Sequence, residues 1–368
     1  MKRRNFLGGV TAAFSAVWSG KAVAAEANDA HIVAGGKLAM HVGCQNGPTT
    51  PKLLDYFKRH GVEHICGYPP DPGANGHWSV DDLKRTKDLC QQHGVSLDMV
   101  ALPFLSSSHI DHERRGAIML AAAERDRDIE NIQRMIEACA EAGIPAFKYN
   151  LSLLGVLRTD STQGRGGSRY STWKLAEAKN ANQLTRAGRV SADEAWERIT
   201  YFLDRVIPVC NQYKVRAACH PHDPGTPPSG LQGIVNVLGT VDGLKRFVTI
   251  QDSPYHGLNF CVGTVAEMLQ DPRNEICDVA RYFGQRGKIF NIHFRNIRGQ
   301  RDDFRETYPD DGDLDMLAVA RTLHEVGYSY MLMPDHMPSH ADDPNGSQAF
   351  AFGYGYIKGL LQAIASAS

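Results

Sequence analysis

Ile289-Phe290-Asn291-Ile292-His293-Phe294-Arg295-Asn296 decides the fold: an apolar run of strand length that breaks into a histidine, an arginine and an amide. A short apolar run with polar boundaries reads as a buried strand. A strand that delivers reactive side chains at its C-terminal end belongs to a barrel whose mouth does chemistry. The same pattern recurs on either side. Residues 215–219 run into His220-Pro221-His222-Asp223-Pro224, and residues 330–333 into Pro334-Asp335-His336. Further candidate strands lie at 38–42, 63–66, 96–101 and 146–149, and 247–251 supplies the eighth, with Gly257-Leu258-Asn259-Phe260-Cys261 following it.

Helical stretches separate these strands, at 50–60, 79–93, 125–142, 191–213, 274–285 and 313–326. Ser79-Val80-Asp81-Asp82 and Ser191-Ala192-Asp193-Glu194 begin two of them with a capping serine and first-turn acids. Gly61, Gly143 and Gly327 stand where three helices stop before the next strand. Eight strands alternating with helical stretches predict a (β/α)₈ TIM barrel, here one domain over residues 30–368. Two long connections follow strands and so belong to the catalytic face. One is 161–180, whose Gln163–Tyr170 portion is rich in Gly and Arg and reads equally as a lid or a mobile surface loop; the other is 335–345.

Composition narrows the partners. With 368 residues, 42% hydrophobic, 22% charged and a formal charge of −1, the chain lacks the electrostatic surplus that binds nucleic acid or an anionic membrane. Lys2-Arg3-Arg4-Asn5-Phe6-Leu7, an apolar run to about Trp18, and Ala22-Val23-Ala24 together resemble a twin-arginine signal peptide over residues 1–25. That leader implies a periplasmic protein, free of the membrane once cleaved. The eight cysteines include no CxxC pair, and a chain of this length needs no disulfide staples, so most read as buried hydrophobes. Cys261 is the exception.

Four strands in succession thus present His220, Cys261, His293 and Asp335. Parallel strands gather their C-terminal ends around one mouth, however distant in sequence. A His₂-Cys-carboxylate set suits a borderline divalent ion: Mn²⁺, Fe²⁺, Co²⁺ or Zn²⁺. Some lookalikes fall away. Asp311-x-Asp313-x-Asp315 starts like a calcium loop, but Met316 stands where glycine is required, so it reads as acids at a helix start. His60 and His64 are four apart, yet Gly61 breaks the helix between them.

The ordered motifs resemble those of mannonate dehydratases over nearly all of the chain after the leader. His220–Gly225 matches that family's H-P-D-D-P-P, Gly257–Gly263 its G-L-x-F-C-x-G, and His293-Phe294-Arg295-Asn296 its H-F-R-N. Gly312–Met316 matches G-D-x-D-M, and Pro334-Asp335-His336 sits in R-P-D-H-G. The resemblance implies a xylose-isomerase-like barrel and a hydro-lyase that converts D-mannonate to 2-keto-3-deoxy-D-gluconate and water. It implies that His220, Cys261, His293 and Asp335 hold a Mn²⁺-like ion. His336 and Arg295 are implied as catalytic. Tyr149, Arg158, His222 and Asn296, in or beside the motifs, are expected to bind a small sugar acid. His222 stands where the family has Asp, and Tyr356 where it has Arg. The same groups would also serve an isomerase or epimerase of another carbohydrate, or an exported sugar-acid-binding protein. A homo-oligomer is left open.

Overall fold

A computed structural model describes residues 38–367, so the predicted leader lies outside the described residues. Eight parallel strands close into a barrel in sequence order: His41–Cys44, His64–Gly67, Ser96–Ala101, Ala146–Asn150, Arg216–His220, His256–Cys261, Ile289–His293 and Met331–Met333, which pairs back to the first. A helix follows each strand, among them Pro51–Arg59, Val80–Gln92, Arg125–Glu141, Ala192–Tyr213 and Met316–Glu325. Both predicted capping boxes form, with Ser79 and Ser191 each bonded reciprocally to the acid three residues on. Gly143 and Gly327 take positive φ (66° and 75°), the left-handed turn that lets a helix stop and the chain enter the next strand.

Two hydrophobic clusters divide the core. Inside the barrel, Cys66, Met99, Ala101, Ala146, Ala218, Phe290, Met331 and Met333 pack together. The larger cluster fills the layer between strands and helices. All eight cysteines are free thiols, and all but Cys277 are buried. No described helix is long and apolar enough to cross a membrane.

Two expectations are corrected. The stretch 247–251 is not the sixth strand, because most of it falls in and just beyond the helix Val241–Thr249. Thr240 caps that helix by accepting from the Gly243 amide, and Leu244, Phe247 and Val248 share its buried face at helical spacing. The sixth strand is His256–Cys261, buried at every position, so Cys261 ends its strand rather than trailing ten residues behind one. The loop after the fourth strand is also not irregular. Asp160–Gln163 and Arg169–Lys174 form an antiparallel hairpin that joins Asn296–Gln300 and Asp303–Thr307 in a four-stranded sheet. Both hairpins leave the C-terminal ends of barrel strands, so this sheet stands at the mouth.

Candidate active site

The four predicted donors meet. His220, Cys261 and His293 are the last residues of three consecutive strands, and Asp335 lies two residues past the eighth. One donor atom from each lies within 4.8 Å of the other three. Local bonds orient them. His220 Nδ1 donates to the Pro221 carbonyl at 2.7 Å, which leaves Nε2 as the ring's lone-pair nitrogen. His293 Nε2 donates to Gln45 Oε1 at 2.8 Å. His293 Nδ1 then faces Asp335 Oδ2 at 3.3 Å, buried and, among the described residues, without a hydrogen bond. Cys261 caps the short helix Val262–Ala266 through its sulfur, which accepts from the Thr264 amide at 3.4 Å.

Electrostatics put these donors in their ligating forms. Burial lowers the His220 pKa and keeps the ring neutral. Burial pushes the Cys261 thiol up, but the neighbouring Arg295 charge and His293 outweigh it and the net shift is downward. Asp335 is likewise buried, yet His293, His336 and Arg295 hold it well below the ordinary carboxylate range. An orphaned buried nitrogen, a favoured thiolate, a neutral imidazole and an ionised carboxylate fit a divalent cation.

Beneath the donors lies a charge lattice. Arg295 is fully buried; Nη1 donates to Glu267 Oε1 at 2.6 Å, and Nη2 to Asp223 Oδ2 at 3.0 Å and Thr264 Oγ1 at 2.9 Å. Glu306 Oε1 lies 2.9 Å from Nη1, and Cys261 Sγ 3.6 Å from Nη2. Arg158 braces the same acids, reaching Asp223 Oδ1 at 2.6 Å and Glu306 through Nε at 2.9 Å. Two guanidiniums therefore pair with three carboxyl groups that could otherwise be taken for a second ion site. The room for Arg295 comes from Gly263, where a Cβ would sit 2.8 Å from the guanidinium carbon. On the mouth side, half-buried His336 ion-pairs with Glu306 through Nδ1 (3.0 Å), and its Nε2 stands 3.6 Å from Asp335.

The expected substrate contacts sort differently. Tyr149 turns away from the mouth and packs on Phe147 and Phe202 in the helix layer, because strand alternation gives the inward position to Lys148. His222 uses both ring nitrogens on backbone, Nε2 with the Leu151 carbonyl (3.0 Å) and Nδ1 with the Leu238 amide (3.3 Å), and burial lowers its pKa to about 4. Asn296 spends its amide on Pro309, Leu314 and Ile297, pinning the 309–314 turn. Arg158 reaches the lattice, not the opening. Arg295 is enclosed as well, with Nη2 facing the Cys261 sulfur.

Sequence reading missed Gln45, Lys148, Glu267 and Glu306. Gln45 bridges two donors, since Nε2 donates to Asp335 Oδ1 at 2.6 Å while Oε1 accepts from His293 and also from Lys148. An ionisable residue at an inward strand position was the signal available for Lys148. Outer partners of this kind tune metal affinity about 10–100-fold. Gln45→Leu is therefore expected to weaken divalent-ion binding by that factor, read by competition with a chelator, with the fold unchanged by circular dichroism.

The closed parallel barrel, with His, Cys, His and carboxylate side chains grouped at its mouth, places the chain in the xylose-isomerase-like barrel fold. A xylose isomerase domain protein from Planctomyces limnophilus shares that fold at TM-score 0.54 and 13% identity, covering 90% of this chain and 99% of its own. The D-mannonate dehydratase (UxuA) family profile matches residues 44–187 and 170–368, and the chain belongs to the mannonate dehydratase family of hydro-lyases. The mannonate dehydratase of Thermotoga petrophila is 27% identical over 345 residues, 83% of this chain and 91% of that protein. The crystal structure of mannonate dehydratase from Streptococcus suis serotype 2 superposes at TM-score 0.75 with 24% identity, covering 90% of this chain and 96% of that one.

Proposed function

We propose that the protein dehydrates D-mannonate to 2-keto-3-deoxy-D-gluconate, with Mn²⁺ or a similar ion held by His220, Cys261, His293 and Asp335. The observation that carries this reading is the convergence of those donors beside a half-buried, acid-paired histidine. A divalent ion at this position supplies Lewis-acid stabilisation for the charge that develops when the proton beside a carboxylate is removed.

The chain's own residues do the rest. His336 is the titratable side chain that touches the donors and remains partly exposed, with 36% side-chain exposure, so it can reach a bound sugar acid. Burial would lower its pKa, but in the ion-free site Asp335 and Glu306 reverse that and raise it to about 10. A proton held on Nε2 suits delivery to the departing 3-hydroxyl, which leaves as water, and the imidazole so freed takes up the proton lost beside the carboxylate, so the ring ends in the protonation state it began in. Glu306 fixes the ring by holding Nδ1. Lys148 carries its charge from the barrel interior to Gln45, and complements a substrate carboxylate at the opening. The leader pattern at Lys2–Leu7 and Ala22–Ala24 supports export, so we place this chemistry in the periplasm.

Incubating the Mn²⁺-loaded protein with D-mannonate is expected to yield a 2-keto-3-deoxy acid by colorimetric assay. Absence of product, with turnover of other carbohydrates, would overturn the substrate assignment. His336→Gln is expected to lower kcat about 10²–10⁴-fold, the contribution typical of a positioned acid or base, while metal content stays at the wild-type value.

A further inference from the structure

At the other end of the barrel three side chains meet that the reaction does not use. His41 opens the first strand and His64 the second, while Asp98 is third in the third strand. These strands are neighbours, so the three groups gather at the N-terminal rim. Along the first strand that rim lies about 10 Å from the mouth, at roughly 3.3 Å per residue. His64, which makes no shared face with His60, finds its partners here.

The geometry is that of a ligand set. Asp98 Oδ2 lies 2.8 Å from His64 Nδ1 and 3.4 Å from His41 Nε2, and one donor from each residue falls within 4.8 Å of the others. The imidazole rings are 3.7 Å apart between centroids, tilted by 35°. His41 Nδ1 donates to the Ala39 carbonyl at 3.2 Å, so the ring's lone pair sits on Nε2. That Nε2 is buried and, among the described residues, has no hydrogen-bond partner. A backbone carbonyl on the far ring nitrogen is how ligating histidines are usually oriented. Ser96 occupies the other Asp98 oxygen and leaves Oδ2 to the cluster. The 3.4 Å separation matches the edge of a tetrahedron with metal bonds of about 2.0–2.1 Å. Side-chain exposures of 26%, 34% and 27% leave an entry path and room for water in the remaining position.

We propose that His41, His64 and Asp98 form a second divalent-cation site of the Zn²⁺ or Co²⁺ class, tying the first three strands together at the base of the barrel. Two imidazoles and one carboxylate suit a borderline ion over Ca²⁺ or Mg²⁺. Binding displaces the proton that His64 shares with Asp98 and satisfies His41 Nε2. The site contains no thiolate, so it is spectroscopically distinct from the mouth, where Cys261 contributes sulfur.

Co²⁺ titration of the metal-stripped full chain tests this, with bound ion counted by elemental analysis and the thiolate-to-cobalt absorption band followed in parallel. His64→Gln and His41→Gln are each expected to bind one equivalent fewer than wild type, with the thiolate band and D-mannonate turnover unchanged. Cys261→Ser is expected to lose the band and keep the base ion. Unaltered stoichiometry in both histidine variants would overturn the proposal. So would a wild-type protein whose bound Co²⁺ is removed entirely by Cys261→Ser. The retained band shows that a variant has folded, so neither result turns on misfolding.

Discussion

Arg295→Met is expected to destabilise the protein by about 3–5 kcal/mol, the usual cost of removing one partner from a buried ion pair. The side chain is fully enclosed, and its guanidinium is the shared counter-charge of Glu267, Asp223 and Glu306. Arg158 also pairs with all three, but a single cation cannot balance three acids. Glu267 already shows the strain on the balance. Burial, with Asp223 and Glu306 adding to it, pushes its carboxyl well above the ordinary range despite both arginines, and its Oε2 has no partner. Removing Arg295 would strand the remaining acids in a dry site, where an uncompensated charge costs most. Arg295→Lys should recover little, because one ammonium cannot reach Glu267 and Asp223 on opposite edges of the planar fork. Pairing Arg295→Met with Asp223→Asn should recover part of the loss, because an ionised acid leaves with its counter-ion. Urea unfolding of the metal-free proteins measures all three, and a loss below about 1 kcal/mol for Arg295→Met would show that Arg158 suffices.

How much of this was legible follows from what each signal depends on. The strand ending in His293 is apolar, short and bounded by polar groups, so its own residues announce it, and the same holds for the strands that deliver His220 and Asp335. The capping boxes at Ser79 and Ser191 are equally local. Phe247-Val248 misled because a short apolar run looks alike on a strand or a helix face, and only Thr240 and the spacing back to Leu244 distinguish them. The hairpin at 160–174 was hidden for a different reason. Asp160–Gln163 is polar and largely solvent-facing, so it is held by pairing with Arg169–Lys174 and carries no apolar alternation. Tyr149 and Lys148 show the limit inside a correctly placed strand, where one residue of parity decides which side chain enters the barrel. The acid lattice was least legible. Asp223, Glu267 and Glu306 acquire meaning only when the fold brings them to two arginines.

Cys261→Ser is expected to abolish retention of the ion at the barrel mouth through dialysis, leaving any ion at the barrel base in place, and to slow D-mannonate dehydration by about 10³-fold or more, the several kcal/mol that Lewis-acid stabilisation supplies. Serine keeps the size and loses the charge. The lattice is arranged around that charge, with Arg295 Nη2 3.6 Å from the sulfur and the Thr264 amide donating to it. A hydroxyl in the same place stays neutral, so the donor set falls from two anions and two imidazoles to one anion and two imidazoles. His293 Nδ1, buried and unpartnered, then loses the ion that would satisfy it. Stripping the wild-type protein with a chelator should reproduce the loss, and Mn²⁺ should reverse it in wild type but not in the variant at equal concentration. Metal content and turnover measured on the same samples separate the two effects. A Cys261→Ser protein that holds its ion and turns over within about 10-fold of wild type would remove sulfur from the ligand set, leaving the histidines and Asp335 to hold the ion alone.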